Sequence, residues 1–62
     1  MDLLIQFILL IHTAASTGDM PVVKVLIEHG ANIESLNIMQ ETPLHKASLY
    51  DRVEVARYLL EQ

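Results

Sequence analysis

"ETPLHKAS", residues 41–48, puts a hydroxyl residue, a proline, a histidine and two small residues into one short run. "LLIHTAAS", residues 9–16, carries a histidine and small residues at matching positions earlier in the chain. The later run reads as the start of a helix. Thr42 is a natural N-cap, because its hydroxyl can accept from a free backbone N–H of the first turn. Pro43 then falls at the first helical position, where its missing N–H costs nothing and its fixed φ suits the helix. Leu44, Ala47 and Ser48 follow at i, i+3 and i+4, giving a narrow apolar face that lets a second helix come close.

Laid over residues 42–62, residues 9–29 fit without a gap, at an offset of 33 positions. His12 matches His45, Ala14 matches Ala47, Val22 matches Val55, Leu26 matches Leu59 and Glu28 matches Glu61; Lys24 with Arg57 and Ile27 with Leu60 are conservative. Matches on one helical face alone could arise between any two amphipathic helices. A shared histidine and a fit of both halves of the unit argue instead for an internal repeat, and a fixed period of this size means a stacked array.

The unit follows from local chemistry. Its first helix buries Ile11, Ala14 and Ala15, or Leu44, Ala47 and Ser48, and should close near Gly18 or Asp51 in a left-handed conformation. Asp51 adopts that conformation less readily than glycine, at a cost of up to about 1 kcal/mol. Asp19 can cap the second helix, and Pro21 is acceptable because it lies in the opening turn. Val22, Val23, Leu26 and Ile27 are expected to form its buried face, repeated as Val55, Ala56, Leu59 and Leu60. Gly30 stops that helix after His29. "ANIESLNIMQE", residues 31–41, has no helical period and must carry the chain back as an extended or β-hairpin-like loop.

With these residues assembled, "TPLHKA" resembles the T-P-L-H-x-A signature of the ankyrin repeat, and the 33-residue period is that of the family. "VVKVLIEHGANIE", residues 22–34, is similar to the helix and Gly-Ala segment that closes such a unit, with Gly30 and Ala31 in place. The resemblance implies an all-α solenoid of helix–turn–helix units joined by β-hairpin-like loops. Its expected divisions are an apolar lead-in over 1–8, a first repeat over about 9–41 and an incomplete second repeat over about 42–62. It further implies that Thr42 and His45 form a clasp, with the histidine ring on the threonine hydroxyl and nearby backbone. Leu9 and Leu10 replace threonine and proline in the first unit, so His12 lacks that hydroxyl. Gln40 stands where the family often has a turn glycine, Asn37 where it often has aspartate, and Arg52 replaces a common capping residue.

Composition limits the functions available. The net charge is −4, from eight acids against Lys24, Lys46, Arg52 and Arg57, which are scattered singly and give a phosphate backbone little to hold. There is no cysteine, hence no disulfide and no thiolate metal site. No two histidines sit at i, i+4 on a helix, no G-x-S-x-G elbow surrounds a serine, and two glycines make no phosphate loop. His12, His29 and His45 are read as structural, and neither catalysis nor a cofactor is expected.

"LLIQFILLI", residues 3–11, is too short for the roughly 20 residues that span a bilayer. It resembles a signal-peptide core, but Asp2 precedes it where a positive charge belongs, and a cleavage after it would cut the repeat. An intracellular protein, cytoplasmic or nuclear, is therefore expected, with a secretory or membrane product as the alternative.

Binding another protein is the function these residues imply. By resemblance to the family, the variable positions of the concave side are Leu36, Ile38, Met39 and Glu41 in the loop and Leu49 and Tyr50 on the helix, with Ser16 and Thr17 in the earlier unit. All but Glu41 of the six later positions are apolar or aromatic, which marks an interface with Tyr50 and Met39 as anchors. The other readings are a purely structural piece of a longer array and self-association through open repeat ends. Thr42, Pro43, Leu44, His45, Ala47, His12 and Gly30 are assigned to the fold.

Overall fold

The computed structural model describes residues 2–62, and among them it is all-helical. Four helices follow in order: α1 (Leu3–Thr17), α2 (Met20–Glu28), α3 (Pro43–Leu49) and α4 (Val53–Leu60). α1 pairs with α2 and α3 with α4, and the two pairs stack through α1 on α3 and α2 on α4.

The helix ends obey the chemistry of their residues. The Asp2 carboxylate accepts from the Leu4 N–H at 3.0 Å, so the acid just before the apolar run 3–11 caps α1 and that run becomes its first turns. Gly18 ends α1 at φ 79°, and the N–H groups of Gly18 and Asp19 both donate to the Ala14 carbonyl. The second unit closes α3 the same way: Asp51 sits at φ 58° and the Arg52 N–H donates to Ala47 O at 2.8 Å. Asp19 caps α2 through Val22 N at 3.3 Å, and Thr42 caps α3 through His45 N at 3.2 Å.

Ile11, Val23 and Val55 are fully buried and, with Ala14, Ala15, Leu26, Ala31, Ala47 and Leu59, form one core between the helix pairs. The alanines matter as much as the larger residues, because they set how closely α1 and α3 approach. Three expectations for the buried faces, at Val22, Leu60 and Ser48, are corrected. Val22 is 39% exposed where Val55 is 1%, and Leu60 is 70% exposed where Ile27 is half-buried. Ser48 is likewise exposed while Ala15 is covered. Each repeat position has two sides, and only the side facing the other repeat finds cover.

The segment 31–41 holds itself with side chains in place of a ladder. Asn32 Oδ1 accepts from Glu34 N, and Asn37 Oδ1 accepts from both Met39 N and Glu41 N at 2.9 Å. The Asn37 N–H donates to Glu41 O, and Gln40 N–H donates to Asn37 O, which folds the tip back on itself. This turn forces Gln40 to φ 62°, the left-handed region that glycine would occupy without strain.

Candidate functional site

The tip 36–41 is carried against α1, and between them runs a groove of about 560 Å³. Ile5, Ile8, Leu9 and Thr13 of α1 form one wall, Leu36 and Ile38 the other, and Lys46 of α3 lies at its edge. The groove exists because α1 continues toward its N-terminus beyond the repeat, so its extra turns stand beside the loop. Ile38 is 96% exposed, and Leu36, Met39, Leu9 and Ile5 are also largely open.

A polar cluster joins this groove to the helices. The Glu41 carboxylate accepts from Lys46 Nζ at 2.9 Å and from Asn37 Nδ2 at 3.0 Å, and meets His45 Nε2 at 3.3 Å. The Asn37 amide, followed by the Lys46 ammonium, holds the Glu41 carboxyl below the usual carboxylate range. Hydrogen bonding to Glu41 raises Lys46 above the ordinary lysine range. His12 is buried beneath the cluster, with Nδ1 2.7 Å from Ile8 O and Nε2 2.7 Å from Glu41 O. A neutral ring donates to one of these carbonyls, and a protonated ring to both.

The clasp inferred for Thr42 and His45 is corrected here. Thr42 Oγ1 receives the backbone N–H of His45, while the His45 ring is exposed and turns to Glu41. A carboxylate four residues earlier is a stronger attraction for the ring than a hydroxyl already occupied by the cap. The ring that does clasp two segments together is His12.

The six residues expected at a binding surface separate into groups. Leu36 and Ile38 line the groove, and Met39 stands at the exposed tip. Glu41 is half-buried and engaged by Lys46 and Asn37. Leu49 and Tyr50 are exposed at the C-terminal end of α3, away from the groove lining. Of the earlier pair, Ser16 lines the groove and Thr17 does not. Sequence reasoning missed Ile5, Ile8, Leu9 and Thr13 as lining residues. For Ile5, Ile8 and Leu9 the signal was present in the apolar run 3–11, which was weighed as a signal-peptide core or a lead-in and not as one wall of a surface.

The remaining fold residues occupy structural positions: Pro43 and Ala47 are buried, Leu44 is half-buried, and Gly30 takes φ 97° after α2. The His29 ring contacts the carbonyl of Val25 at 2.8 Å. Among the described residues no group of three or more His, Cys, Asp or Glu is placed to hold a metal ion. No helix formed by them is long and apolar enough to cross a membrane.

Comparison with known proteins places this arrangement. The chain is 43% identical over 50 residues to a transient receptor potential cation channel subfamily A member 1 homolog of Caenorhabditis elegans. That match takes in 81% of this chain and 4% of the relative, so the chain spans a small part of that protein's length. No solved structure matches. The family of ankyrin repeats (many copies) matches residues 11–60, including all four capping and closing devices described above from Gly18 onward. The chain belongs to the ankyrin repeat family, whose members are generally protein-interaction modules.

Proposed function

We propose that this chain binds another protein through the groove between α1 and the 36–41 tip, without catalysis of its own. The observation that carries this reading is the open apolar wall of Leu36 and Ile38 facing Ile5 and Leu9 across about 560 Å³. Exposed aliphatic side chains at a loop tip cost solubility and gain nothing for the fold, so they are best explained by a surface that becomes covered. Met39 extends that surface at the tip. Lys46 and Glu41 at the edge supply fixed charge for orientation, because each is already held by the other. Leu49 and Tyr50 form a second exposed patch at the end of α3 that a large partner would also reach.

The test compares proteins retained by the immobilised wild-type chain and by Ile38→Glu, with Glu54→Gln, an exposed position of α4 outside the groove lining, as a surface control. A partner retained by the wild type and the control but lost with Ile38→Glu, and then binding directly when purified, supports the reading. Identical retention by all three chains refutes it.

A further inference from the structure

The 33-residue offset pairs each position of α1 and α2 with one of α3 and α4, so exposure can be compared at equivalent sites. The differences run in two opposite directions. Ala15 and Val23 are fully buried and Ile27 is half-buried, whereas their equivalents Ser48 and Leu60 are exposed and Ala56 is partly so. Conversely, Leu10, Val22 and Val25 are exposed, whereas their equivalents Pro43 and Val55 are buried and Tyr58 is half-buried. The first set is the face by which the first helix pair receives the second. The other is the face by which the second pair seats on the first.

Both kinds of face therefore occur twice, once used and once free. The free receiving face is a groove of about 380 Å³ lined by Ala47, Ser48, Ala56, Arg57 and Leu60. The free seating face carries Leu10, Val22 and Val25, and Leu3, two turns before Leu10, continues it along α1. The contact made inside the chain shows what these faces do to each other. Arg52 Nε donates to Ser16 O at 2.8 Å, and Lys24 Nζ stands 5.7 Å from the centre of the Tyr58 ring beside Glu61.

We infer that a second copy of this chain docks head to tail, its Leu10–Val22–Val25 face on the Ser48–Ala56–Leu60 face. Moving the internal contact by one period supplies the register. Arg57 then replaces Lys24 and faces Glu28 of the next copy in place of Glu61, an attractive pair. Asp51 replaces Gly18 and faces Asp19 in place of Arg52, a repulsive one, so the contact is weaker than its internal template. The two surfaces are different, which makes the interface heterologous and leaves one face open at each end of any assembly. This contact is separate from the groove proposed above for a foreign partner.

The experiment is sedimentation equilibrium of the 62-residue chain over a concentration series, with Leu60→Arg and Val22→Arg as the two face variants. Both positions are exposed, and helical circular dichroism checks that each variant folds; Ser48→Arg and Val25→Arg are the replacement pair if one does not. The expected result is a wild-type mass that rises past twice the chain mass without a plateau, and loss of association in each variant alone. Equimolar mixing of the two variants should restore a complex that stops at two chains, because each retains the face the other has lost. A wild type that stays at one chain mass throughout overturns the inference and leaves these faces to another repeat-bearing protein. Loss of association in only one of the variants also overturns it, because it indicates a symmetric contact. Neither variant touches Leu36 or Ile38, so partner retention through the loop groove is read independently.

Discussion

His12 and Glu41, 29 positions apart, meet at 2.7 Å through the histidine Nε2 and the glutamate carbonyl. The same carbonyl accepts from Asn37 N–H, so one oxygen ties α1, the tip turn and the start of α3 together. A chain of this size has only about 3–9 kcal/mol of stability to lose. Replacing His12 with phenylalanine keeps the volume and removes both ring contacts. The expected loss is about 1–3 kcal/mol, measured by urea denaturation, with His12→Gln falling between the two. An unchanged midpoint for His12→Phe would show that the contact contributes nothing.

Arg52 occupies a capping position without capping: no side-chain bond closes α4, and the guanidinium spans the stack to Ser16 O. Arg52→Ala is expected to destabilise by about 1 kcal/mol, the usual net value of one such bond. Because the bond is exposed and uses Nε, Arg52→Lys should recover only part of the loss. Thermal melts of the three chains decide this, and equal melting temperatures would refute it.

Gln40 is held at φ 62° by the Asn37 turn. Gln40→Gly removes the left-handed strain and adds some freedom to the unfolded chain, for a net gain of about 0.5–1 kcal/mol. In a domain this small that corresponds to a rise of several degrees in Tm. A fall in Tm would mean the glutamine side chain contributes more than its backbone costs.

The Glu41 carboxyl is lowered by Asn37 and Lys46, so its ionised form is favoured by folding. The resulting stability is complete above the unfolded carboxylate range and is lost as pH falls through the lower, folded value. Lys46 is raised by Glu41, so its share is complete at neutral pH and is lost only as strongly alkaline conditions deprotonate it. Denaturation curves from neutral to acid pH should therefore show a drop for the wild type that is reduced in Glu41→Gln. Parallel curves for the two proteins would exclude this pair as the origin of the acid sensitivity.

Ile11 is fully buried in the core on α1, the helix that packs against both α2 and α3. Ile11→Ala should cost about 2–5 kcal/mol, enough to leave much of the chain unfolded at room temperature. Far-ultraviolet circular dichroism reads the outcome directly, and a helical signal equal to wild type would contradict the placement of the core.

The repeat, its helix pairs and the caps at Asp19 and Thr42 were legible in the sequence because they depend on neighbours a few residues apart, whereas the Asp2 cap that starts α1 at Leu3 was not read. Thr42 with Pro43, Asp19 with Pro21, and Gly18 or Asp51 at φ 79° and 58° each act within a single turn. The buried alanines and valines were legible as a period. What the sequence did not disclose was which side of each helix finds a partner. Val22 and Val55 are the same residue at equivalent positions, yet one is exposed and the other buried, because only the second has a helix pair packed against it. The His45 ring was assigned to Thr42 by motif, and it went to Glu41 because the loop delivers a carboxylate to it. The groove likewise depended on where α1 and the 36–41 tip lie in space, which no local pattern records. Short-range geometry belongs to residue chemistry alone, whereas cover, charge pairing and grooves arise from segments that meet only when the two helix pairs stack.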